Sequence, residues 1–412
     1  MYGGVLDRRK AALLLTYAGL AGHAFFVPIS IAGMQIALGV AAAGVLLAPP
    51  RPLRTALDWP VLAFVLIAVL SDLITAEGPP PLANATLWRS VLGFFVVAHG
   101  LRLLPRNAPL TLVSCACAGL ALSSLVGLVQ YRTGVDLVYL SHLRASPALV
   151  EAPGVPERFG AMGFFTSRLS FGHNATVLAA LLLGALAAGA VPPRRVWMAA
   201  GAAVLGLAAV AVTFDRAAYL GVAAAAIVIA LFSSARVRKA LLPAVAVMVL
   251  LASLHGGIRD RFRSSFSAGV NSDRVFIWKE AARIIRDHPL RGIGFGNYPR
   301  VCERYYDRDN PSFWMRTWAH NLELSTLAET GPLGLLAMLW LLSTAAVALR
   351  KRMRAGSLAL GGLAALTALF VIAQVHDVLY DTKVMYALWL ALGLSLSPEE
   401  ESSPGLRLAT AG

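Results

Sequence analysis

Charged residues and cysteines are scarce in this sequence. Only 14% of the 412 residues are Asp, Glu, Lys or Arg, whereas a soluble domain carries about a quarter. This deficit excludes an ordinary soluble globular protein. The three cysteines are Cys115 and Cys117, which lie in one apolar run, and Cys302, which stands alone in a polar stretch. That arrangement excludes a disulfide framework and a cysteine-based metal site.

Apolar sequence takes the place of charge, since 58% of the residues are hydrophobic. Runs of about 20 apolar residues, enough to cross a bilayer, recur from end to end. We therefore predict an all-α polytopic membrane protein with about twelve transmembrane helices, the first of them an uncleaved helix rather than a signal peptide. The predicted spans are 11–28, 30–48, 57–75, 86–103, 109–130, 172–191, 196–213, 217–232, 240–256, 332–349, 357–375 and 384–398.

The net charge of +14 raises the possibility of a nucleic-acid partner, but the placement of the cations argues against it. They cluster in alternate connections of the twelve-span arrangement, and the opposite connections at 29, 76–85, 214–216 and 376–383 hold little positive charge. This is the positive-inside pattern, which predicts that both termini are cytoplasmic. The clustered cations are Arg8, Arg9, Lys10, Arg51, Arg54, Arg102, Arg106, Arg194, Arg195, Arg236, Arg238, Lys239, Arg350, Lys351, Arg352 and Arg354.

Two long polar segments, 131–171 and 257–331, are then predicted on the outer side of the membrane. Residues 257–317 contain twelve Arg or Lys against seven acidic residues. Because long loops escape the positive-inside rule, this excess indicates an anionic ligand. Anionic lipid headgroups are the alternative partner.

The larger segment contains an organised stretch. Apolar residues at helical spacing predict a helix that Ser272 or Asp273 can cap. Arg274 would lie in its first turn, where helix stability does not explain a cation. The apolar positions are Val275, Trp278, Ala281, Ala282 and Ile285. His288-Pro289 ends the predicted helix, and Gly292, Gly294 and Gly296 predict a structural turn rather than a dinucleotide site, because no strand precedes them.

Residues 318–330 predict a short amphipathic helix. Gly331-Pro332 breaks it, and residues 332–349 alone supply enough apolar positions to span the bilayer. His320, Asn321 and Glu323 would therefore lie at the outer membrane surface, over the polar segment. Near a helix N-terminus the dipole favours neutral imidazole, the form that a general base requires. A capping or interfacial histidine is the alternative.

Several arginines approach the same outer face. Arg216 follows Asp215 between two apolar spans, Arg89 lies one turn inside the fourth span, and Arg158 and Arg168 belong to the first polar segment. Snorkelling is the alternative for Arg89. Converging guanidinium groups suit a phosphate or diphosphate, which they hold bidentately. The Asp-x-Asp stretch at 307–309 is read as a solvated turn, and no metal is predicted.

Together these motifs resemble the O-antigen ligase/polymerase superfamily. The resemblance rests on Arg274-x-x-x-Trp278, the glycine turn after Pro289, and the His320-Asn321 segment followed by Glu329-x-Gly331. It implies a bacterial inner-membrane protein with a large helical periplasmic loop and an active site on the periplasmic side. The implied fold resembles the class C glycosyltransferases.

The resemblance also implies an activity. It is a glycosyltransferase reaction, without metal or cofactor, that moves O-antigen from undecaprenyl diphosphate to the lipid A-core oligosaccharide with inversion. The family's diphosphate arginines map onto Arg216 and Arg274, and its histidine maps onto His320. Many relatives have Ser where this chain has Asp215. The residues expected to assist substrate binding are Arg158, Arg168, Arg89, Asn321 and Glu323.

Two related activities stay open, and two functions of other classes explain the sequence less well. An O-antigen polymerase would use the same donor and a lipid-linked acceptor, and a protein-glycosylating relative would commonly carry additional soluble sequence. A lipid-linked-glycan flippase would place charges deep within the spans and break helices at the midplane. A purely structural membrane scaffold would explain neither the arginines nor the amphipathic helix.

Overall fold

The computed structural model describes residues 2–50, 54–75, 85–136, 159–240, 268–306, 318–354 and 356–397, with isolated positions between 243 and 259. Thirteen α-helices are formed within these ranges. They are α1 Tyr2–Phe26, α2 Ile31–Leu47, α3 Asp58–Ile74, α4 Ala85–Leu103, α5 Ala108–Thr133, α6 Arg168–Ala187, α7 Pro193–Ala211, α8 Arg216–Phe232, α9 Ala268–Asp287, α10 Tyr298–Val301, α11 Leu322–Arg352, α12 Ala359–Ala373 and α13 Thr382–Leu396. Short 3-10 helices follow at Cys302–Tyr305 and Val378–Tyr380.

The predicted all-helical fold is confirmed for the described ranges. Eleven of the twelve predicted spans coincide with helices, and the ninth, 240–256, lies largely outside the described residues. Four helices, α5, α6, α7 and α11, are long and apolar enough to cross a membrane, and α2, α8, α12 and α13 are shorter apolar helices. The chain is therefore a helical membrane protein, while the count of twelve spans stays a prediction.

The centre of the molecule is built on α6, α12 and α13, whose residues are almost all buried. Helices α6 and α12 run antiparallel and meet at glycines, since a Cβ atom on Gly184 would lie 2.4 Å from the Cα atom of Gly361. Small residues permit such close helix contacts in membranes. The antiparallel pairing brings the N-terminal turns of α6 to the level of the segment that follows α12. The candidate site forms at this end.

Helix α11 breaks at Gly331, as the sequence predicts. This residue has φ 68° and ψ −173°, inside an otherwise helical stretch that continues to Arg352. The first part, residues 322–330, is capped by Asn321, whose side chain accepts a hydrogen bond from the N–H of Leu324. His320 therefore precedes the helix and is not part of it. The prediction that the short helix carries His320 is wrong by two residues.

The glycine turn fastens the larger polar segment to this short helix. The N–H groups of Ile293 and Gly294 donate to the carbonyls of Ala328 and Glu329, at 3.0 and 2.9 Å. The hydroxyl oxygen of Ser71, at the end of α3, lies 2.9 and 2.7 Å from the carbonyl oxygens of Arg291 and Glu329, which share its one proton. These hydrogen bonds support the structural reading of the turn.

The predicted helix at 275–285 forms, but it begins earlier and buries a different face. Helix α9 starts at Ala268, so Arg274 lies in its second turn rather than its first. The buried apolar residues are Ile277, Ala281 and Ile284, whereas Val275 is 47% exposed. The apolar periodicity predicted Trp278 and Ile285 on the buried face, whereas the buried residues are each one position earlier. The contact between α9 and the short helix decides which face of α9 is covered.

The break at Gly331 is testable by thermal denaturation in detergent. A Cβ atom at this position would lie 2.2 Å from the carbonyl oxygen of Leu290, and the positive φ is unfavourable for alanine. Gly331→Ala should destabilise the protein by about 1–3 kcal/mol. The matched control is Gly201→Ala in α7, where nothing lies within 4 Å and Tm should not fall. Equal Tm values for the two variants would contradict this account.

Candidate functional site

The turn between α7 and α8 is tightly held. Asp215 caps α8, because its carboxylate accepts a hydrogen bond of 3.0 Å from the N–H of Ala217. The guanidinium of Arg168 donates to the carbonyls of Thr213 and Phe214, at 2.7 and 3.1 Å. Arg168 thus reaches the predicted region, and these hydrogen bonds fix the turn that presents Arg216, the half-buried first residue of α8. A direct role for Arg168 in binding stays a prediction.

The Asp215 carboxylate lies between two histidines. Its Oδ2 atom is 2.8 Å from Nε2 of His173 in α6. Its Oδ1 atom is 3.8 Å from Nε2 of His376, which belongs to the segment after α12. The carboxylate side chain is 3% exposed. The His173 ring and the Asp215 carboxylate therefore form a close polar contact in the protein interior.

A second carboxylate holds His320. The backbone N–H of His320 donates to Oδ2 of Asp377 at 2.6 Å, and the ring Nδ1 lies 3.1 Å from the same oxygen. The hydroxyl of Ser325, one turn into the short helix, donates to Oδ1 of Asp377. Asp377 is 4% exposed, whereas His320 is 32% exposed. Because Nδ1 faces the carboxylate, Nε2 is the ring nitrogen left to act as a base.

Two strained residues border this region. Phe214 has φ 54° and His320 has φ 51°, and they are the non-glycine residues with positive φ in the described part of the chain. A bulky side chain at positive φ is uncommon and costs about 1–3 kcal/mol. Strain of this kind persists where surrounding contacts enforce it, and such residues cluster at functional sites. Here the contacts of Arg168 and Asp377 enforce it.

The histidines connect the two carboxylates. The ring centroids of His173 and His376 are 4.8 Å apart, and those of His376 and His320 are 6.1 Å apart. Arg274 of α9 acts electrostatically on His376 and contributes to lowering its pKa. His376 is thus the shared neighbour of His320, Arg274 and the carboxylate that precedes Arg216, while a common catalytic role for the three predicted residues stays a prediction.

The ionisation states in this cluster follow from burial and contacts. Burial would raise the pKa of Asp215, but its contacts with His173 and then His376 outweigh burial and lower the pKa to about 2. Burial, followed by the charge of His173, lowers the pKa of His376 to about 3. Near neutral pH Asp215 is therefore ionised and His376 is neutral.

The remaining predicted residues have different positions. Asn321 caps the short helix and donates from Nδ2 to the carbonyl of Gln374 at 3.1 Å, and Glu323 accepts a hydrogen bond of 3.0 Å from the Gln374 amide. These contacts tie the short helix to residues 374–377, and substrate binding by Asn321 or Glu323 stays a prediction. Arg89 is exposed on α4. Arg158 and the 307–309 stretch lie outside the described residues.

Sequence reasoning missed His173, His376 and Asp377 as members of the site. A signal was available, because residues 376–383 form a short connection predicted on the same side as both polar segments. His173 stands at the start of the sixth predicted span, on that side as well. Polar residues at the outer ends of spans would have identified all three positions.

Comparison with known proteins supports one family. Residues 201–339 match a family model described as O-antigen ligase. The matched segment contains Arg216, Arg274 and His320, and the resemblance seen in the sequence is confirmed over it. No curated protein matches the chain.

The neutral state of His376 predicts an acid-dependent loss of stability. Its pKa is lowered on folding, so the unfolded chain gains a proton below about pH 6.5 that the folded protein does not bind. Stability should fall with pH from there towards pH 3, by up to about 1.4 kcal/mol per pH unit for one proton. Asp215 contributes no change above about pH 5, because its folded and ordinary pKa values both lie lower.

The measurement is Tm in detergent at pH 7.5 and pH 5 for the wild type and for His376→Gln. The wild type should lose more Tm on acidification than the variant. Identical losses would show that His376 is not buried in its neutral form.

Proposed function

We propose that the protein is an O-antigen ligase. In this proposal it transfers O-antigen polysaccharide from undecaprenyl diphosphate to the lipid A-core oligosaccharide, on the periplasmic face of the inner membrane. The main supporting observation is the accessible His320 ring, oriented by the buried Asp377 carboxylate, inside the segment that matches the O-antigen ligase family. Two half-buried arginines support the same proposal, because Arg216 directly follows Asp215 in the chain and the charge of Arg274 acts on His376.

His320 acts as the general base. Its Nε2 atom accepts the proton from an acceptor sugar hydroxyl as that oxygen attacks the anomeric carbon. The Asp377 carboxylate holds Nδ1 and stabilises the imidazolium that forms. A new glycosidic C–O bond forms, the bond from the anomeric carbon to the diphosphate breaks, and the diphosphate leaves with the bonding electrons. Attack opposite the leaving group inverts the anomeric centre.

Arg216 and Arg274 stabilise the leaving diphosphate. Fixed cations placed where negative charge develops lower the barrier without a metal ion, and the planar guanidinium holds two phosphate oxygens at once. Both side chains are partly buried, which strengthens their interaction with an anion relative to open water.

The lipid part of the donor has a suitable neighbouring surface. An apolar cavity opens between α3, α11, α12 and α13, and its walls include Phe64, Phe295, Leu322, Phe370 and Trp389. One lining residue, Leu322, follows His320 by two positions in the chain. We propose that apolar groups of the donor lipid contact this surface.

The contacts also support the proposed orientation. Residues 214–216, 376–383 and 257–331 are connections predicted on the outer side by the cation pattern. Asp215, His376, Asp377 and His320 come from these connections and contact one another. This agreement supports placing the three connections on one side of the membrane, and the cation pattern alone is the reason for proposing that this side is periplasmic.

An O-antigen polymerase is the second candidate, because it would use the same donor and the same base. Deletion of the gene followed by gel analysis of surface polysaccharide separates the two. Loss of core-attached O-antigen with accumulation of long lipid-linked chains identifies a ligase. Accumulation of single repeat units identifies a polymerase.

The base and its carboxylate give a first activity prediction. His320→Ala should reduce ligation in a reconstituted assay by about 10²–10⁴-fold, the usual contribution of a general base. Asp377→Asn should give a smaller loss, because an amide still accepts from the His320 N–H but no longer favours the imidazolium. His99→Gln, in α4, changes a half-buried histidine away from this cluster and should keep activity. Wild-type ligation by His320→Ala would refute the assignment of the base.

The arginines give a second activity prediction. Arg216→Ala and Arg274→Ala should impair use of the undecaprenyl-diphosphate donor, and the Lys variants should recover activity only in part, because Lys lacks the bidentate fork. The control is Arg194→Ala, an exposed arginine at the start of α7. Full activity in both Lys variants would show that bidentate diphosphate binding is not required.

A further inference from the structure

Asp215 has more contacts than a helix cap needs. Ser, Thr, Asn and Asp all cap helices well, and in this chain Ser167 caps α6 through its hydroxyl. Asp215 caps α8 in the same way, but its carboxylate also lies against His173 and His376. A serine at this position would retain the cap and lose both histidine contacts.

These contacts form a continuous connection across the site. Arg216 directly follows Asp215 in the chain, and the Asp215 carboxylate lies 3.8 Å from His376. Asp377 directly follows His376 in the chain. Its carboxylate accepts a hydrogen bond from the backbone N–H of His320 and lies 3.1 Å from the ring Nδ1. The Asp215–His376 contact and the Asp377–His320 contact therefore link the chain segment of the arginine to that of the base.

We propose that Asp215 and His376 are positioning residues that fix the distance between Arg216 and His320. This inference rests on the proposed function, in which Arg216 holds the diphosphate and His320 activates the acceptor. Reacting atoms must approach to about 3–3.5 Å, and a misplacement of 1 Å can cost about 10²-fold in rate. The arginine and the base lie on elements far apart in sequence, and the contacts of Asp215 and His376 lie between those elements.

His173 fixes the other side of the Asp215 carboxylate. Its ring is buried in α6, and its Nε2 atom lies 2.8 Å from Oδ2. Helix α6 packs against both α8 and α12. His173 therefore contacts one oxygen of the carboxylate from inside the protein, and the other oxygen faces His376. Asp215 is therefore anchored to a packed helix and does not lie at the end of a free loop.

A metal site is the alternative use of the same residues. The ligand atoms of His173, Asp215 and His376 all lie within 4.8 Å of one another, and His and Asp are common zinc ligands. Tetrahedral zinc with bonds of about 2.0–2.2 Å brings its ligand atoms to about 3.3–3.6 Å apart. Arg216 and the charge of Arg274 at His376 also oppose a dication. The geometry and charge therefore favour positioning.

The test compares Asp215→Ser, His376→Gln and the double variant in the reconstituted ligation assay, each with its Tm. Asp215→Ser retains the cap but loses the contacts with His173 and His376, so its Tm should fall modestly, and the assay is run well below the Tm of every variant. For each single variant kcat should fall by about 10- to 100-fold with little change in donor KM. The double variant should be no slower than the slower single variant, because both changes break the same connection.

His320→Ala and His99→Gln are measured in parallel. If His320→Ala is inactive while Asp215→Ser has wild-type kcat, the positioning inference is overturned and the proposed function stands. Multiplicative losses in the double variant also overturn it, since they show that the two residues act independently. If the wild-type protein transfers no glycan from the lipid-linked donor, the proposed function fails and the inference fails with it.

Metal analysis of the purified protein distinguishes the positioning role from the metal site. Wild-type protein with no stoichiometric zinc, and with activity that survives chelation, supports positioning. One equivalent of zinc that is absent from Asp215→Ser, with activity restored by added zinc, overturns it in favour of a metal centre.

Discussion

The site depends on the buried carboxylate of Asp377. It accepts hydrogen bonds from the backbone of His320 and from Ser325, and it lies beside the His320 ring. One side chain thus holds the strained backbone of His320 and lies against its imidazole, while Asn321 caps the short helix that follows. An acidic residue that is 4% exposed must be compensated by such contacts. Because Nδ1 faces this carboxylate, Nε2 is the ring nitrogen that acts as the base in the proposed function.

The break at Gly331 allows these polar groups to lie beside the membrane. Charged and polar side chains are costly in the hydrocarbon region. The break separates residues 322–330 from the apolar remainder of α11, so the polar segment need not lie on the same axis as the spanning part. The glycine turn at 292–296 then fastens the larger polar segment to the short helix. Arg274 is brought towards the histidines by this attachment.

Much of the fold could be predicted from the sequence, because apolar run length and proline or glycine breaks are local signals. Eleven helices and the break at Gly331 were found in this way. The buried face of α9 and the start of α11 were not, since tertiary contacts decide them. In the site, Arg216, Arg274 and His320 were predicted through family motifs. His173, His376 and Asp377 lie on distant elements and meet only because α6 and α12 pair antiparallel, which no local pattern reveals.

A cryo-EM structure of the protein bound to an undecaprenyl-diphosphate glycan would test the central claim most directly. We predict that the diphosphate oxygens lie within about 3.2 Å of the guanidinium groups of Arg216 and Arg274. The Nε2 atom of His320 should face the anomeric carbon from the side opposite the leaving oxygen, with room for one sugar hydroxyl between them. A diphosphate bound away from both arginines, or a His320 ring on the same side as the leaving oxygen, would contradict the account.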